Sequence, residues 1–453
     1  MLVPKGFSRA FAVTRVAIVV ALLPHALAWR SPFLASIRVW ALTGLIAIPL
    51  AITVAEIRAL RWARGRGALA LSLASLALAA LTLVCVPGFE AQFWWKRYTV
   101  LHADPALLER LGRHIVVGYR DIDELNVLLE QRAVAGVFLT TRNVEGRDAA
   151  AIRQEIAGMQ AVRRRQGLPE LLIATDQEGG IVSRLSPPLP HLPPLAEIAA
   201  RHSASAERRI AVRDYAAGQA RDLADLGVNV NLAPVVDLDH GVADPADRLT
   251  RISARAISSD PQVVTEVAES YCAQMSENGV RCTLKHFPGL GRVVDDTHLQ
   301  TADLTLPTRE LASSDWLPFR ALMRRDDVIV MLGHARLTAL DRERPVSFSR
   351  TVVRDLLRTD WGYDGILMTD DFSMGAVTRS REGIGGGSVE ALNAGVDLIL
   401  VSYDVDQFYL VMHALIRAAG AGALRADALA ESDRRLAKAS PVSWPASQPA
   451  RAR

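Results

Sequence analysis

Eight short apolar runs alternate with helix-like stretches from about residue 101 onward, and this alternation restricts the possible folds more than any other feature. Several runs are continuously apolar, as is typical of parallel strands buried on both faces. The stretches between them are long enough for helical crossovers. We therefore predict an α/β fold, a (β/α)8 TIM barrel with extended loops, with a doubly wound open sheet as the alternative. The runs are His114–Val117, Gly136–Thr140, Leu171–Thr175, Val228–Leu232, Arg281–Lys285, Val328–Gly333, Ile366–Thr369 and Asp397–Val401.

Polar side chains follow most of these runs directly. In a barrel of parallel strands the carboxyl ends of all strands meet at one face, and functional residues collect there. The chain meets this expectation from the third run to the seventh. The residues are Asp176, Asn231, Asp237, His286, His334 and Asp370.

The N-terminal part of the chain is strongly apolar, and its first acidic residue is Glu56. Val39–Ile57 and Ala68–Val86 are each nineteen residues long, close to the roughly 20 residues that cross about 30 Å of hydrocarbon as a helix. Val16–Trp29 is a shorter and weaker candidate. The pattern predicts two or three transmembrane helices within residues 1–92, in contact with a lipid bilayer. The alternative is a signal peptide followed by buried soluble helices.

The loop Arg58–Gly67 holds four arginines, and the positive-inside rule places such a loop in the cytoplasm. The residues after the last apolar helix are then expected on the outer side of the membrane. We predict a linker at residues 93–110, the barrel at residues 111–440 and a disordered tail at residues 441–453, which is rich in proline and small polar residues.

The composition excludes several classes of function. Lys and Arg number 52 against 49 Asp and Glu, a balance that argues against a nucleic-acid partner. Three cysteines cannot form a four-cysteine zinc site, and neither a metal-binding nor a nucleotide-binding motif is present in its required context. We predict no metal and no cofactor, and the oligomeric state is not indicated. Cys272 and Cys282 could pair outside the cell, but we expect free buried thiols.

The stretch LKHFPGLGRVVDDTH, residues 284–298, joins a strand end to a glycine-containing loop. Asp296 lies two residues before His298, so its carboxylate can orient the imidazole and raise its basicity. Such a histidine can give and take a proton near neutral pH. The alternative is a surface loop with a solvated histidine.

The stretch GILMTDDFSMG, residues 365–375, ends a buried run in two adjacent carboxylates. Successive strand residues point to opposite faces, so Asp370 and Asp371 cannot both face the same pocket. We expect Asp371 to cap the following helix, which leaves Asp370 for the pocket.

The stretch IATDQEGGIVSR, residues 173–184, places Asp176 at a strand end and Arg184 after a tight glycine turn. Asp176 can accept two sugar hydroxyls, and Arg184 can make an orienting contact. A turn with a structural ion pair is the alternative.

In this order, from about Ile115 to about Ala437, the motifs together resemble glycoside hydrolase family 3. They are most similar to its single-domain β-N-acetylglucosaminidases (β-N-acetylhexosaminidases), which act on peptidoglycan fragments. The matching pieces are TDQEGGIVSR (175–184), LGVNVNLAPVVDLD (226–239), RAISSDP (255–261), LKHFPGLG (284–291), DTH (296–298), GH (333–334), GILMTDDFSMGAV (365–377) and ALNAGVDLILV (391–401).

The resemblance implies a role for individual residues. Asp370 falls on the nucleophile, and Asp296 and His298 fall on a dyad for general acid/base catalysis. Leu290 stands where the family commonly has a second histidine, which we expect to change loop packing and not the chemistry. The substrate-holding positions fall on Asp176, Arg184, Arg255, Lys285, His286 and His334.

The function implied is a retaining hydrolase that removes terminal β-linked N-acetylglucosamine from muropeptides or related glycans through a glycosyl-aspartate intermediate. The alternatives are a β-glucosidase or xylosidase, an N-acetylglucosamine phosphorylase, or a non-catalytic sugar-binding membrane protein. The leaving-group sugar is left open. The expected location is the bacterial inner membrane, with the barrel on the periplasmic or extracellular side.

Overall fold

The computed structural model describes residues 5–61, 66–242, 247 and 249–439. The chain divides into two compact units, Met1–Thr99 and Val100–Arg453. The predicted loop Arg58–Gly67 includes residues 62–65, which lie outside the described residues, as does the predicted tail 441–453.

The first unit is helical. Its helices are α1 (Lys5–Leu27), α2 (Arg38–Leu60) and α3 (Arg66–Leu101), and a short 3-10 helix spans Pro32–Leu34. Two clusters of buried apolar side chains join the helices, one around Val19, Ile52 and Ala79 and one around Trp29 and Val86. Arg15 and Glu56 form an ion pair between α1 and α2, with 2.7 Å between Nε and Oε1.

The predicted fold class, a barrel preceded by a transmembrane region, has to be corrected at its N-terminal part. The structure shows a closed barrel of eight parallel strands preceded by a helical region. Three helices there, Ala10–Leu27, Arg38–Leu60 and Arg66–Leu101, are long and apolar enough to cross a membrane by length and composition only. Helices buried against each other can share these properties, so the fold is described as a barrel with a helical N-terminal region.

The second unit alternates strands and helices. Its helices are α4 (Pro105–Gly112), α5 (Ile122–Glu130), α6 (Thr141–Val144), α7 (Ala149–Arg165), α8 (Leu195–Arg201), α9 (Ser205–Leu226), α10 (Pro261–Glu277), α11 (Thr308–Ala312), α12 (Trp316–Leu322), α13 (Gly375–Thr378), α14 (Gly383–Ala394), α15 (Asp406–Gly420) and α16 (Ala426–Lys438). Short 3-10 helices span Ile252–Ala254 and Val346–Phe348, and a π-helix spans Thr351–Asp360.

The strands are β1 (Ile115–Gly118), β2 (Gly136–Leu139), β3 (Leu172–Thr175), β4 (Gln177–Gly179), β5 (Val182–Ser183), β6 (Val230–Asn231), β7 (Arg281–Phe287), β8 (Asp303–Leu304), β9 (Val328–Leu332), β10 (Arg336–Leu337), β11 (Ile366–Asp371) and β12 (Leu398–Val401). Eight of them close a barrel in the order β1-β12-β11-β9-β7-β6-β3-β2, and β4-β5 and β8-β10 form two small sheets outside it.

Every neighbouring pair in the barrel is parallel, and β1 pairs with both β12 and β2. This closure excludes the doubly wound open sheet, in which two edge strands would remain. The apolar residues of the strands alternate between the barrel interior and the surrounding helices. The interior is filled by a cluster that includes Val116, Phe138, Met331, Met368 and Leu400.

Polar caps explain where several of the outer helices begin. Asp104, Asp148 and Asp260 each accept a hydrogen bond from a backbone N–H in the first turn of α4, α7 and α10, at 2.8, 2.7 and 2.8 Å. Each cap satisfies one of the donors that a helix start leaves without a partner.

Cys272 on α10 and Cys282 on β7 form a disulfide with 5.5 Å between their Cα atoms. The expectation of free thiols at these two positions was wrong. The bond ties a helix of the outer ring to the strand that carries Lys285 and His286.

Candidate active site

The carboxyl ends of the barrel strands bring together residues that are far apart in the sequence. Asp176 directly follows β3, Lys285 and His286 lie near the end of β7, and Asp370 lies near the end of β11. Since all eight strands are parallel and run the same way, these ends share one face of the barrel.

Four of the charged side chains form one cluster, in which three are buried and the fourth, that of Asp176, is partly exposed. Lys285 Nζ lies 2.7 Å from Asp176 Oδ1 and 2.6 Å from Glu178 Oε1. Arg255 binds Glu178 in a bidentate manner, through Nε at 2.9 Å and Nη2 at 2.7 Å. Two cations therefore face two carboxylates, and the charges of the four side chains balance. We name these residues, Asp176, Glu178, Arg255 and Lys285, the ion cluster.

Glu178 was not among the predicted site residues. Burial by itself would raise the pKa of its carboxyl group, but the charges of Arg255 and Lys285 outweigh that effect and hold the pKa at about 2. The sequence could have indicated this residue, because Glu178 lies two residues after Asp176 and alternate residues of an extended segment share a face.

His286 is held by Asp237, which is fully buried. His286 Nδ1 lies 2.7 Å from Asp237 Oδ2, and the same carboxylate accepts the backbone N–H of His286 at 3.1 Å and of Leu290 at 2.7 Å. With Nδ1–H donated to the carboxylate, Nε2 can accept from Arg255 Nη2 at 3.4 Å. The side chain of Leu290 packs into an apolar cluster with Ile252 and other residues, so its backbone contributes to the site and its side chain to the loop packing.

Asp296 and His298 lie in a loop that we name the flap, residues 289–300. Asp296 Oδ1 accepts the backbone N–H of His298 at 2.9 Å, lies 2.8 Å from His298 Nδ1, and accepts Thr250 Oγ1–H at 2.8 Å. Burial would raise the pKa of Asp296, but the hydrogen bonds from His298 and Thr250 outweigh it and lower the pKa to about 2. The side chain of His298 is 36% exposed, which leaves the imidazole accessible to solvent.

The flap is bound to the segment that follows β11. The backbone N–H of Gly375 donates to the carbonyl oxygen of His298 at 2.7 Å, and that of Ala376 donates to Thr297 at 3.1 Å. A Cβ atom at Gly375 would meet the carbonyl groups of Leu299 and, at 2.9 Å, of His298. Glycine is therefore required at this position for the flap to approach so closely.

Asp370 and Asp371 have different surroundings. Asp371 Oδ1 accepts the backbone N–H groups of Ser373 and Ser402, and Oδ2 accepts Ser402 Oγ–H and the backbone N–H of Tyr403, all at 2.7–3.1 Å. The expected helix-cap role of Asp371 was wrong, because the cap position of α13 is Met374. Asp371 instead ties the end of β11 to the loop after β12.

Asp370 is partly buried, and one of its oxygens accepts the backbone N–H of Asp371 at 2.7 Å. Burial opposes its ionisation, but electrostatic interactions with nearby histidines, His286 first, and the hydrogen bond from the backbone N–H of Asp371 outweigh burial and lower the pKa of Asp370 below its ordinary value. Asp370 is therefore an anion at neutral pH, within electrostatic reach of the flap histidine.

His334 and Arg184 are placed differently from the other predicted residues. His334 is fully buried, with Nε2 3.0 Å from the carbonyl oxygen of Asp371 and Nδ1 2.7 Å from Ser347 Oγ. A carbonyl oxygen only accepts, so Nε2 carries the proton and Nδ1 accepts from Ser347. Burial lowers the pKa of His334, which keeps it neutral. The side chain of Arg184 is exposed, and its backbone N–H donates to Asp176 at 3.0 Å.

The site thus combines an accessible carboxylate, a carboxylate–imidazole pair and a cluster of buried charges that can bind hydroxyl groups. Such a set can perform nucleophilic attack and proton transfer on a polar, hydroxyl-rich substrate. Within the described part of the chain, no group of three or more His, Cys, Asp or Glu residues is arranged to hold a metal ion.

Comparison with known proteins assigns the chain to a family. The model of the glycosyl hydrolase family 3 N terminal domain matches residues 106–439. A beta-hexosaminidase of Stenotrophomonas maltophilia is 34% identical over 276 residues, and one of Xylella fastidiosa is 36% identical over 279 residues. Both alignments cover 61% of this chain and 78% of the relative.

Two solved structures are also similar to this chain. A family 3 beta-N-acetylglucosaminidase from a Paenibacillus species is 27% identical with a TM-score of 0.66, and the match covers 73% of this chain and 61% of that one. A beta-N-acetylhexosaminidase from Beutenbergia cavernae is 28% identical with a TM-score of 0.64, and the match covers 74% of this chain and 99% of that one. The chain therefore belongs to glycosyl hydrolase family 3, and it is a glycosidase with β-hexosaminidase relatives.

Proposed function

We propose that the protein is a retaining β-N-acetylglucosaminidase that releases terminal β-linked N-acetylglucosamine from peptidoglycan-derived muropeptides or related glycans. The observation that carries this proposal is the attachment of the flap to the segment after Asp370. Two backbone hydrogen bonds, at 2.7 and 3.1 Å, keep the Asp296–His298 pair beside the strand that bears Asp370.

Asp370 is the nucleophile in this proposal. As an anion it attacks the anomeric carbon, and the bond from that carbon to the leaving oxygen breaks. His298 in its protonated form gives a proton to that oxygen, so the leaving sugar departs as a neutral alcohol. The product of this step is a sugar ester of Asp370.

The second step returns the enzyme to its starting state. Neutral His298 takes a proton from a water molecule as the water attacks the anomeric carbon, and the ester bond to Asp370 breaks. Two inversions at the same carbon retain the β configuration. Asp296 accepts a hydrogen bond from Nδ1 of His298, so Nε2 is the nitrogen that exchanges the proton. The negative charge of Asp296 also stabilises the imidazolium form.

The ion cluster holds the sugar. Lys285 and Arg255 offer donors, and Asp176, which is partly exposed, offers an acceptor to sugar hydroxyl groups. Because the cluster is neutral and prebuilt, sugar binding needs little rearrangement of charge. The names of the relatives, beta-hexosaminidase and beta-N-acetylglucosaminidase, support an N-acetylated hexosamine as the sugar.

The location is a separate part of the proposal. Three apolar helices, an arginine-rich segment at residues 58–67 and a disulfide in the barrel together support a protein held at the bacterial inner membrane with its barrel outside the cytoplasm. Protease treatment of spheroplasts tests this directly. Degradation of the barrel in intact spheroplasts is expected, and protection until the membrane is broken would contradict it.

Turnover of aryl β-N-acetylglucosaminides tests the chemistry. Asp370→Ala is expected to lose about a thousandfold or more of kcat. His298→Ala is expected to lose about 10²- to 10⁴-fold on a poor leaving group and much less on a good one, since the good one needs no proton. His202→Ala, at the end of α8, serves as the control and keeps full activity.

The products distinguish the alternatives. N-acetylglucosamine released from purified muropeptides supports the proposal, and preferred turnover of an aryl glucoside or xyloside would replace it with that activity. A sugar phosphate formed in phosphate buffer would indicate a phosphorylase. Binding of chito-oligosaccharide without turnover would indicate a non-catalytic protein.

A further inference from the structure

Thr250 lies in the long connection between β6 and α10 and is nearly buried, with 8% of its surface exposed. The side chain of Asp247 fixes its position. Asp247 Oδ1 accepts the backbone N–H of Thr250 at 2.9 Å, and Oδ2 accepts that of Arg251 at 2.8 Å. The backbone N–H groups of Thr250 and Arg251 are therefore both held by one carboxylate, which positions the hydroxyl group of Thr250.

The side chain of Thr250 contacts both members of the acid/base pair. Its Oγ1 lies 2.8 Å from Asp296 Oδ1 and 3.2 Å from His298 Nδ1. Asp296, with a pKa of about 2, is a carboxylate and can only accept. The hydroxyl proton of Thr250 therefore points to Asp296, and the lone pairs of Oγ1 remain for the proton on His298 Nδ1.

This arrangement fixes the tautomer of His298. Two oxygen acceptors, Asp296 Oδ1 and Thr250 Oγ1, flank Nδ1, so the proton stays on Nδ1 and Nε2 is left to exchange protons with a substrate. The other oxygen of the carboxylate, Asp296 Oδ2, is buried and meets no donor among the described residues. Thr250 thus supplies one of the two side-chain hydrogen bonds that orient Asp296, and His298 supplies the other.

The backbone of Thr250 reaches the ion cluster. Its carbonyl oxygen accepts a hydrogen bond from Arg255 Nη1 at 2.8 Å, and the rest of the Arg255 guanidinium binds Glu178. One residue therefore contacts the acid/base pair with its side chain and the sugar-holding charges with its main chain.

We propose that Thr250 is a positioning residue for proton transfer, which holds His298 with its proton on Nδ1 and fixes the flap pair relative to the ion cluster. The inference rests on the proposed function and adds to it a third member of the acid/base group. Nothing in the surrounding sequence marks Thr250, because its role depends on contacts 46 and 48 residues away.

Three variants of the whole chain test the inference. Thr250→Val keeps the shape of the side chain and the backbone contact to Arg255 but removes the hydroxyl group. Thr250→Ser restores a hydroxyl group. Thr265→Val is the matched control, since Thr265 donates only to Pro261 of its own helix, α10. Thr250→Ala replaces the valine variant if the latter fails to fold, as judged by circular dichroism.

The readout is kcat/KM, which reports the first chemical step, on two β-N-acetylglucosaminides with a poor alkyl and a good aryl leaving group. We expect Thr250→Val to lose about ten- to a hundredfold on the poor leaving group and less than about threefold on the good one. Thr250→Ser and Thr265→Val should both stay within about threefold of the unaltered protein on both substrates.

Three results would overturn the inference: full activity of Thr250→Val on the poor leaving group, equal losses on both substrates, or a serine variant as impaired as the valine variant. If the unaltered protein turns over neither substrate, the proposed function fails, and the inference fails with it. If the unaltered protein is active and any of the three results is obtained, only the proposed role of Thr250 is overturned, and the proposed function stands.

Discussion

Replacement of Glu178 by glutamine should destabilise the barrel in a way that depends on pH. Glu178 is buried between Arg255 and Lys285, with contacts of 2.6–2.9 Å. Glutamine keeps the size of the side chain and removes its charge. Two buried cations would then share the single carboxylate of Asp176, and an uncompensated buried charge is costly.

The size of the expected loss of stability follows from the pKa of Glu178. The pKa of Glu178 falls from 4.5 to about 2 in the folded protein, which corresponds to about 3 kcal/mol of stability at neutral pH. Because the folded pKa is depressed, this stability is fully present well above pH 4.5 and is lost as the pH falls toward the folded value. At pH 3 only about 1 kcal/mol of it should remain.

Urea unfolding of the purified chain at pH 7 and pH 3, in the same mild detergent, measures the effect. Glu178→Gln should be less stable than the unaltered protein by about 3 kcal/mol at pH 7 and by about 1 kcal/mol at pH 3. Glu269→Gln, an exposed substitution on α10, should change the free energy of unfolding by less than about 0.5 kcal/mol at both values. A loss for Glu178→Gln that is the same at both pH values would refute the reasoning.

Three further variants test other contacts. Gly375→Ala should lower kcat/KM on poor leaving groups about tenfold or more, because its Cβ would push the flap away, whereas Gly158→Ala, at a position with open space on α7, should leave kcat/KM unchanged. Asp371→Asn should lower the free energy of unfolding by about 2–4 kcal/mol, because some of the four groups that donate to the carboxylate lose their acceptor. A change below about 0.5 kcal/mol in urea titration would contradict the role of Asp371 in joining β11 to the loop after β12. Serine at both Cys272 and Cys282 should cost about 3 kcal/mol, given their sequence separation of ten, and an unchanged melting temperature would argue that the bond does not form.

The barrel follows from local sequence patterns, whereas its boundaries depend on the fold. Each of the eight apolar runs overlaps one of the eight barrel strands, because continuous burial on two faces requires continuous apolar sequence. The strand predicted at Arg281–Lys285 extends to Phe287 in the structure. The additional residues, His286 and Phe287, are held by contacts to Asp237 and to distant aromatic rings, which no local pattern shows.

The N-terminal helices show the limit of hydropathy. Their apolar composition predicts helices, and helices are present. Composition does not state whether lipid or protein covers an apolar face, so the prediction of a transmembrane region went beyond what the fold supports. The same holds for Cys272 and Cys282, since a spacing of ten residues says nothing about the 5.5 Å that separates their Cα atoms.

The motifs identified the ends of the strands, but not the contacts between them. Arg255 binds Glu178 across 77 residues, and Lys285 binds Asp176 across 109 residues. Such pairs form only when the barrel closes. The different surroundings of Asp370 and Asp371 are also a tertiary property, since the four groups that bind Asp371 come mainly from the loop after β12.

The tether at Asp371 also bears on which atoms move during the proposed reaction. Its carboxylate is saturated by four donors and its carbonyl oxygen is bound by His334, so the tip of β11 stays rigid while the charge on Asp370 appears and disappears. A preorganised oxygen of this kind has a low reorganisation energy. In each displacement Asp370 therefore stays in place, and the anomeric carbon moves between it and the leaving oxygen. The sugar ring must change its conformation to allow this movement.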